Sequence, residues 1–384
     1  MKSNYKKLGQ YIREINSKNF EGKEDDLLGV STNKGFIRSI ANTVGTDFRK
    51  YKIVKYHQFT YVPDTSRRGD RIGIALLEDY QEALVSSAYI VFEIINQKEL
   101  LPEYLMMWFR RPEFDRYARF KSYGSVREMF DWEEMCNVEL PFPDVKKQKA
   151  IVKEYNTIVN RIKLNEEFNK KLEETAQAIY KQWFVDFEFP DENKKSYKSS
   201  GGEMVFNEEL GREIPVGWKG EHLNRLIEIK YGKDHKHLKD GIFPLYGSGG
   251  VMRYVEKPLY HEKSILIPRK GSLKNIMYID LPFWSVDTMF YSKLRACYNG
   301  KYVYYFLKTI DMEALNTGSA VPSMTTSILN DLTLTIPPAK NLMHFEHLIE
   351  TIFLNKNKKV LQIKELQKML KLLLLKITKV KRYG

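Results

Sequence analysis

Cysteine is almost absent, with Cys136 and Cys297 the only two among 384 residues. Two thiols this far apart exclude a disulfide scaffold and a four-cysteine zinc site, and point to reduced side chains in a cytoplasmic protein. Long apolar runs are also missing. The leucine run Leu372–Leu375 is a fraction of the ~20 residues a membrane helix needs, and the start, MKSNYKKLGQYIREIN, has no apolar signal core, so no membrane role is expected. No P-loop and no Asn/Asp-Pro-Pro-Tyr/Phe loop occurs, which removes the usual signatures of energy coupling and amino-group methyl transfer. Tyr246-Gly247-Ser248-Gly249-Gly250 is glycine-rich but lacks the spacing of a nucleotide-binding turn, so no cofactor is expected in this chain.

Aromatic residues and positive charge are plentiful. Tyrosine and phenylalanine number 24 and 21, enough for one or two real cores and against general disorder. Lysine and arginine outnumber acids 62 to 49, and the resulting charge of +13 attracts phosphate backbones or anionic surfaces.

The chain repeats itself. Pro102-Glu103-Tyr104-Leu105 precedes Trp108-Phe109, and Gly300-Lys301-Tyr302-Val303 precedes Phe306-Leu307, which predicts equivalent short amphipathic helices. Gly124-Ser125-Val126 leads through Trp132 to Leu140-Pro141-Phe142-Pro143, while Gly318-Ser319-Ala320-Val321-Pro322 leads through Leu332 to Ile336-Pro337-Pro338. Gly124 and Gly318 stand 194 residues apart, as do Pro143 and Pro337. In each half a polar stretch, a short apolar strand and a proline-marked helix entrance follow one another.

Beyond Pro143, Ile151, Tyr155, Ile158 and Ile162 trace one helical face. Asn165 breaks the apolar pattern, and Phe168, Leu172, Ala176, Ile179 and Trp183 resume it in a shifted phase, which predicts a stutter. Phe345, Ile349, Ile352, Val360, Ile363, Leu366, Leu370, Leu373 and Ile377 trace a second such face. Each segment spans about 40 residues, or roughly 60 Å of helix, and the matched lengths predict an antiparallel coiled coil.

Between the halves, Phe189-Pro190-Asp191-Glu192-Asn193-Lys194-Lys195 and Ser199-Ser200-Gly201-Gly202 predict an exposed linker. Ile72–Leu77, Ala88–Phe92 and Ser264–Ile267 are predicted buried strands. The expected class is α+β: two similar mixed globular domains, residues 1–145 and 201–337, separated by helical spacers at 146–188 and 338–384, with a linker at 189–200.

This arrangement resembles the specificity subunit of type I restriction-modification systems, in which two target-recognition domains alternate with two helical spacers. The marks that carry the resemblance are Leu27-Leu28-Gly29-Val30-Ser31, the run Lys171 to Phe187 (KLEETAQAIYKQWFVDF), and Thr317-Gly318-Ser319-Ala320-Val321-Pro322-Ser323-Met324. The first half departs from the more symmetrical pattern at Gly124–Met129, where no Val-Pro-Ser follows the glycine. The resemblance implies a noncatalytic subunit that binds a split site on double-stranded DNA, one half per domain. It also implies two modification subunits that methylate adenine at N6 and restriction subunits that translocate and cleave. S-adenosylmethionine, ATP and Mg²⁺ would then belong to those partners. A single-chain DNA-modifying or DNA-cleaving enzyme and a purely structural scaffold remain the alternatives.

DNA contacts need cations for phosphate and hydrogen-bonding groups for base edges. In the first half the candidates are Arg49, Lys50, Lys52, Arg67, Arg68, Arg119 and Lys121, with Asn33 and Lys34 as candidate base readers. In the second they are Lys233, Lys236, Lys239, Arg269 and Lys270, with Tyr246 and Ser248 on the glycine turn. Trp183 and Phe184 are candidates for a partner interface, with burial against the second helix as the favoured alternative. His235 with His237, and His344 with His347, have too few neighbouring ligands for a metal site.

Overall fold

A computed structural model describes residues 5–22, 26–39, 46–66, 69–123, 127–316 and 322–377. The chain forms two compact units, Met1–Asn165 with Leu361–Gly384, and Glu166–Val360. Each long helix therefore contributes one half to either unit.

The first unit is organised around a four-stranded antiparallel sheet in the order Ile12–Ile15, Ile90–Ile94, Phe59–Tyr61, Ile74–Leu76. The last two strands are buried throughout, Ile74–Leu76 being wholly apolar and Phe59–Tyr61 burying Thr60 between two aromatic rings. A separate antiparallel pair joins Tyr5–Lys7 to Glu139–Pro141. Helix Pro102–Phe109 packs on this framework: Leu101 is extended and Pro102 supplies the fixed first turn. The Tyr104 hydroxyl donates to the Pro141 carbonyl at 3.2 Å. Asp131 caps the short helix Trp132–Cys136 by accepting from the Glu134 backbone N–H at 2.8 Å.

The second unit has the same plan. Its four-stranded antiparallel sheet runs Ile227–Tyr231, Met289–Leu294, Ser264–Pro268, Met277–Ile279, and Lys219–His222 pairs with Thr333–Ile336. Helix Gly300–Thr309 stands where Pro102–Phe109 stands, and the Tyr302 hydroxyl donates to the Thr335 carbonyl. Thr325 caps Thr326–Asn330 through the Ile328 N–H at 3.3 Å. Loop bonding repeats too. Asp64 bridges Met129 as Lys270 bridges Ser323. Thr65 and Gly271 donate to Glu128 and Pro322, while Phe130 and Met324 donate to Pro63 and Arg269. The repeat glycines Gly124 and Gly318, with Ser125, Val126, Thr317 and Ser319–Val321, lie outside the described residues.

The units differ in their outer layers. The first adds helix Pro112–Lys121 and the hairpin Leu28–Val30 with Phe36–Arg38. The second adds a hairpin of Met204–Asn207 with Arg212–Pro215. Its Asp240–Gly247 strand lies between Gly250–Val255 and Trp284–Ser285.

The long helices are Val145–Phe184 and Ala339–Lys376. In the second unit Trp183 meets His344 and Phe345 at ring distances of 5.0 and 5.8 Å. Glu173 bonds Lys356, and Lys359 lies 5.5 Å above Phe168. Partners on one helix thus advance as those on the other retreat, the signature of antiparallel pairing. In the first unit Tyr155 and Ile158 share a core with Leu373 and Ile377.

Burial corrects the predicted stutter. Tyr155, Ile158, Ile162, Asn165, Asn169, Leu172, Ala176, Ile179 and Trp183 are buried or half-buried at unbroken alternating spacings of three and four. Asn165 is 3% exposed and Phe168 is 47% exposed. The seam passes through two asparagines, a polar layer that reads as an interruption only when hydropathy alone is followed.

The expected linker is exposed over residues 192–195 and 198–201 but anchored at its start. Phe189 is buried and stacks on Tyr197 and Trp218 at 4.6 and 4.9 Å, and Pro190 bridges Ser196.

Candidate nucleic-acid interface

In the first unit, a cleft of about 870 Å³ gathers Asn33, Lys34 and Arg119 with Arg71, Arg110 and Arg116. Arg110 closes helix Pro102–Phe109, and Arg116 and Arg119 come from the next helix, Pro112–Lys121, where they are three residues apart. Arg119 pairs with Glu128, Arg116 with Glu113 at 3.3 Å, and Arg110 donates to the Tyr155 hydroxyl at 3.2 Å. Phe120 projects beside them, 84% exposed. Aromatic and guanidinium groups at one rim suit a phosphodiester chain and its bases.

Lys34 does not belong to the exposed surface. It is 7% exposed, and its ammonium donates to the Ile72 carbonyl at 2.8 Å and to Asp115 Oδ1 at 2.5 Å. Burial lowers its pKa below the ordinary lysine value despite the Asp115 charge. An ammonium buried and bonded inside the fold does not reach a base edge, so the expected reading role of Lys34 is withdrawn. Asn33 beside it is exposed.

A second basic hollow in this unit is lined by Lys18, Arg49, Lys50 and Lys52, with Asn16 and the exposed Phe20. Arg49 is held by Asp47 at 3.2 Å. Lys52 spends its ammonium on the Tyr89 carbonyl at 2.8 Å, and burial lowers its pKa, so it faces the hollow with less freedom than Lys50. Lys121 turns to Glu134 at 3.2 Å and lines neither feature. Arg67 and Arg68 lie outside the described residues.

In the second unit, Lys233, Lys236 and Lys239 are all exposed on the loop after Ile227–Tyr231. The loop is anchored where Lys233 N–H donates to Ser285 and the Trp284 indole donates to the Lys233 carbonyl. Arg269 lies 5.2 Å above the Tyr231 ring and donates to the Asp287 carbonyl, while Lys270 is exposed beside it. The Ser248 carbonyl accepts from Asn275 at 2.7 Å, which ties the glycine turn to the segment after Lys270. Tyr246 is half-buried on the strand that enters the turn. Its ring packs on Phe283, and burial raises its pKa; Ser248 is half-buried like it, and Asn275 is exposed.

Trp183 and Phe184 are not available to a partner. They are 6% and 1% exposed, locked among His344, Phe345, Trp218 and Tyr302. His344 is a ring neighbour of Trp183, and His237 sits 3.7 Å from Asp234. Among the described residues no group of three His, Cys, Asp or Glu side chains could hold a metal, and no helix is long and apolar enough to cross a membrane.

Sequence reasoning missed Arg71, Arg110, Arg116, Lys18 and Asn275. The Arg116 and Arg119 spacing on a helix was a usable signal, whereas Arg71 is isolated in sequence and enters the cleft only through folding.

One α+β plan built twice, each copy carrying cations on exposed loops and helices and each braced by antiparallel helices, defines a duplicated DNA-recognition protein. The model of the type I restriction modification DNA specificity domain matches residues 6–174 and 215–377, and the chain belongs to that family. The specificity subunit of the type I restriction enzyme MjaIX of Methanocaldococcus jannaschii is 25% identical over 304 residues, covering 71% of this chain and 68% of that one. That of HindI from Haemophilus influenzae is 27% identical over 203 residues, covering 52% and 43%. The crystal structure of a type I restriction-modification S subunit from M. genitalium shares the fold, with a TM-score of 0.60 at 12% identity over 98% and 96% of the two chains.

Proposed function

We propose that this chain is the sequence-reading subunit of a type I restriction-modification complex, noncatalytic in itself, and that each unit reads one half of a split target on double-stranded DNA. The observation that carries the reading is the shared sheet order of the two units, with caps at Asp131 and Thr325 and loop bridges at Met129 and Ser323 in matching places. A scaffold built twice with different outer loops keeps position constant while base-edge contacts vary.

On this reading two modification subunits bind the chain and methylate adenine at N6 with S-adenosylmethionine. Restriction subunits add ATP- and Mg²⁺-dependent translocation and cleavage. The assembly works in the cytoplasm, where its DNA is. The exposed cations of both units supply salt-sensitive phosphate attraction, and the DNA site is chosen by loops at their edges.

The test is methylation-site mapping with the modification subunit supplied and residues 1–145 or 201–337 exchanged separately for those of a relative. Each exchange is expected to change one half-site and leave the other. An exchange that changes both, or neither, overturns the reading. Modification or cleavage of DNA by the purified chain alone, given Mg²⁺, ATP and S-adenosylmethionine, overturns the noncatalytic assignment.

A further inference from the structure

The turn Ser31–Gly35, half-buried except at exposed Asn33 and buried Lys34, is tightly fixed. Ser31 N–H donates to the Gly35 carbonyl at 3.0 Å, Lys34 N–H to the Ser31 carbonyl at 3.1 Å, and Asn33 N–H to the Ser31 hydroxyl at 3.0 Å. Lys34 takes φ 65°, a left-handed conformation that a side chain this long rarely adopts. That conformation turns the lysine inward to Asp115, whose Oδ1 also accepts from the Ile72 N–H at 3.1 Å. One carboxylate on helix Pro112–Lys121 therefore ties together the turn and the strand entrance at Ile72. Taking either partner away leaves the other charge buried without compensation.

The residues flanking this pivot face outward and meet. Arg71, next to Ile72, places its guanidinium 3.5 Å from Asn33 Oδ1, next to Lys34. A guanidinium only donates, so the Asn33 oxygen faces it and the Asn33 amino group is left to face the cleft. Two donor groups side by side match a base edge carrying two acceptors. In the major groove that edge is O6 and N7 of guanine, whereas adenine sets its own amino group against a donor. Arg110, Arg116 and Arg119 surround the pair with positive charge.

We propose that Asn33 and Arg71 together read a guanine in the half-site recognised by the first unit, and that Lys34 and Asp115 are positioning residues that hold Asn33 in place. The inference rests on the DNA-recognition reading above and names the residues and the base through which one unit exercises it.

The experiment uses the full chain assembled with its modification subunit, methylating a duplex library randomised at both half-sites and read by sequencing. Asn33→Ala and Arg71→Ala are each expected to relax the preference for guanine at one position of one half-site by roughly ten- to a hundredfold. The other half-site should be untouched. Asp115→Ala should relax the same position without itself meeting DNA. Asp115→Asn, which keeps an acceptor for Ile72 and Lys34 but removes the charge that compensates the buried ammonium, should relax the preference less than Asp115→Ala, a graded outcome that a general loss of folding does not produce. Should Asp115→Ala fail to fold, the exposed Asn33 and Arg71 variants decide the matter alone. The inference is overturned when neither half-site requires a guanine, or when both variants leave every base preference intact while exchange of residues 1–145 still moves a half-site. If that exchange also moves nothing, the DNA-recognition reading itself has failed.

Discussion

Glu173 on the first long helix and Lys356 on the second form a hydrogen-bonded ion pair, and Lys308 of helix Gly300–Thr309 donates to the same carboxylate at 2.5 Å. The Tyr305 hydroxyl lies 3.4 Å from it as well. A single side chain thus ties both helices of the second unit to the helix of its globular part. Burial by itself raises the Glu173 pKa, but hydrogen bonds and charge from Lys308 and Lys356 outweigh it and hold the carboxyl below the ordinary 4.5.

Because the folded pKa is depressed, the stabilisation is complete above about pH 4.5 and is lost as pH falls from there through the folded value. Glu173→Gln should cost about 2 kcal/mol at pH 7, since two buried or half-buried ammonium groups lose a charged acceptor. It should also flatten the acid limb of the stability profile below pH 4.5. Urea unfolding followed across pH 3 to 7 checks this, and equal slopes in the two proteins would rule out the role assigned to Glu173.

Tyr104 and Tyr302 make the same bond in the two units, each to a carbonyl of the strand that leads into a long helix. Both rings are fully buried, and burial pushes both hydroxyl pKa values far up, so each hydroxyl stays protonated and able to donate. Tyr104→Phe and Tyr302→Phe should each destabilise by about 1–2 kcal/mol, the cost of a buried carbonyl left without its donor. Similar losses in denaturant titrations are expected from structural equivalence. A large loss at one site and none at the other would argue that the two bonds do different work.

The duplication was legible because its anchors are local: a polar stretch, a short apolar strand and a proline recur at one separation, from Gly124 to Gly318 and from Pro143 to Pro337. Helix length was legible for the same reason. The Lys34 pivot was not, because Asp115 meets it only after a sheet and two helices have folded, and a lysine in a polar turn reads as exposed. Trp183 and Phe184 were legible only as a choice between a partner interface and burial against the second helix. An aromatic pair closing a helix has one sequence signature whether it faces a partner or its own core, and here Phe345 and Trp218 take both rings. The exposed second-unit lysines were found by charge alone, which says where phosphate is attracted but not which group touches a base.

Asn165 occupies a core position of the long-helix seam with 3% exposure, where an apolar residue packs better. Asn165→Leu should raise the melting temperature, with a gain of about 1 kcal/mol from the apolar surface buried. The cost should fall on specificity, because a polar residue at such a position fixes register against alternatives that an all-apolar seam tolerates. Differential scanning calorimetry measures the first effect. Broadening of the permitted gap between half-sites, in the methylation mapping, measures the second. A variant less stable than the parent would show that the seam does not accommodate an apolar side chain at this position.

Lys233, Lys236 and Lys239 separate attraction from reading most cleanly. All three are exposed on one loop, which is anchored through its backbone, and among the described residues no hydrogen bond or ion pair engages their ammonium groups. Cations placed this way neutralise phosphates and displace condensed counterions, a contribution indifferent to sequence. Replacing any one by alanine should lower affinity uniformly across targets and reduce the slope of log affinity against log salt by about one for each phosphate no longer neutralised. The consensus of both half-sites should stay as it was. Binding titrations of the assembled complex between about 50 and 200 mM salt, on the specific site and on a scrambled duplex, give both quantities. If instead a lysine variant alters the preferred base at one position while the salt slope holds, that lysine is a reader, and the role of this loop as a source of phosphate attraction alone is overturned.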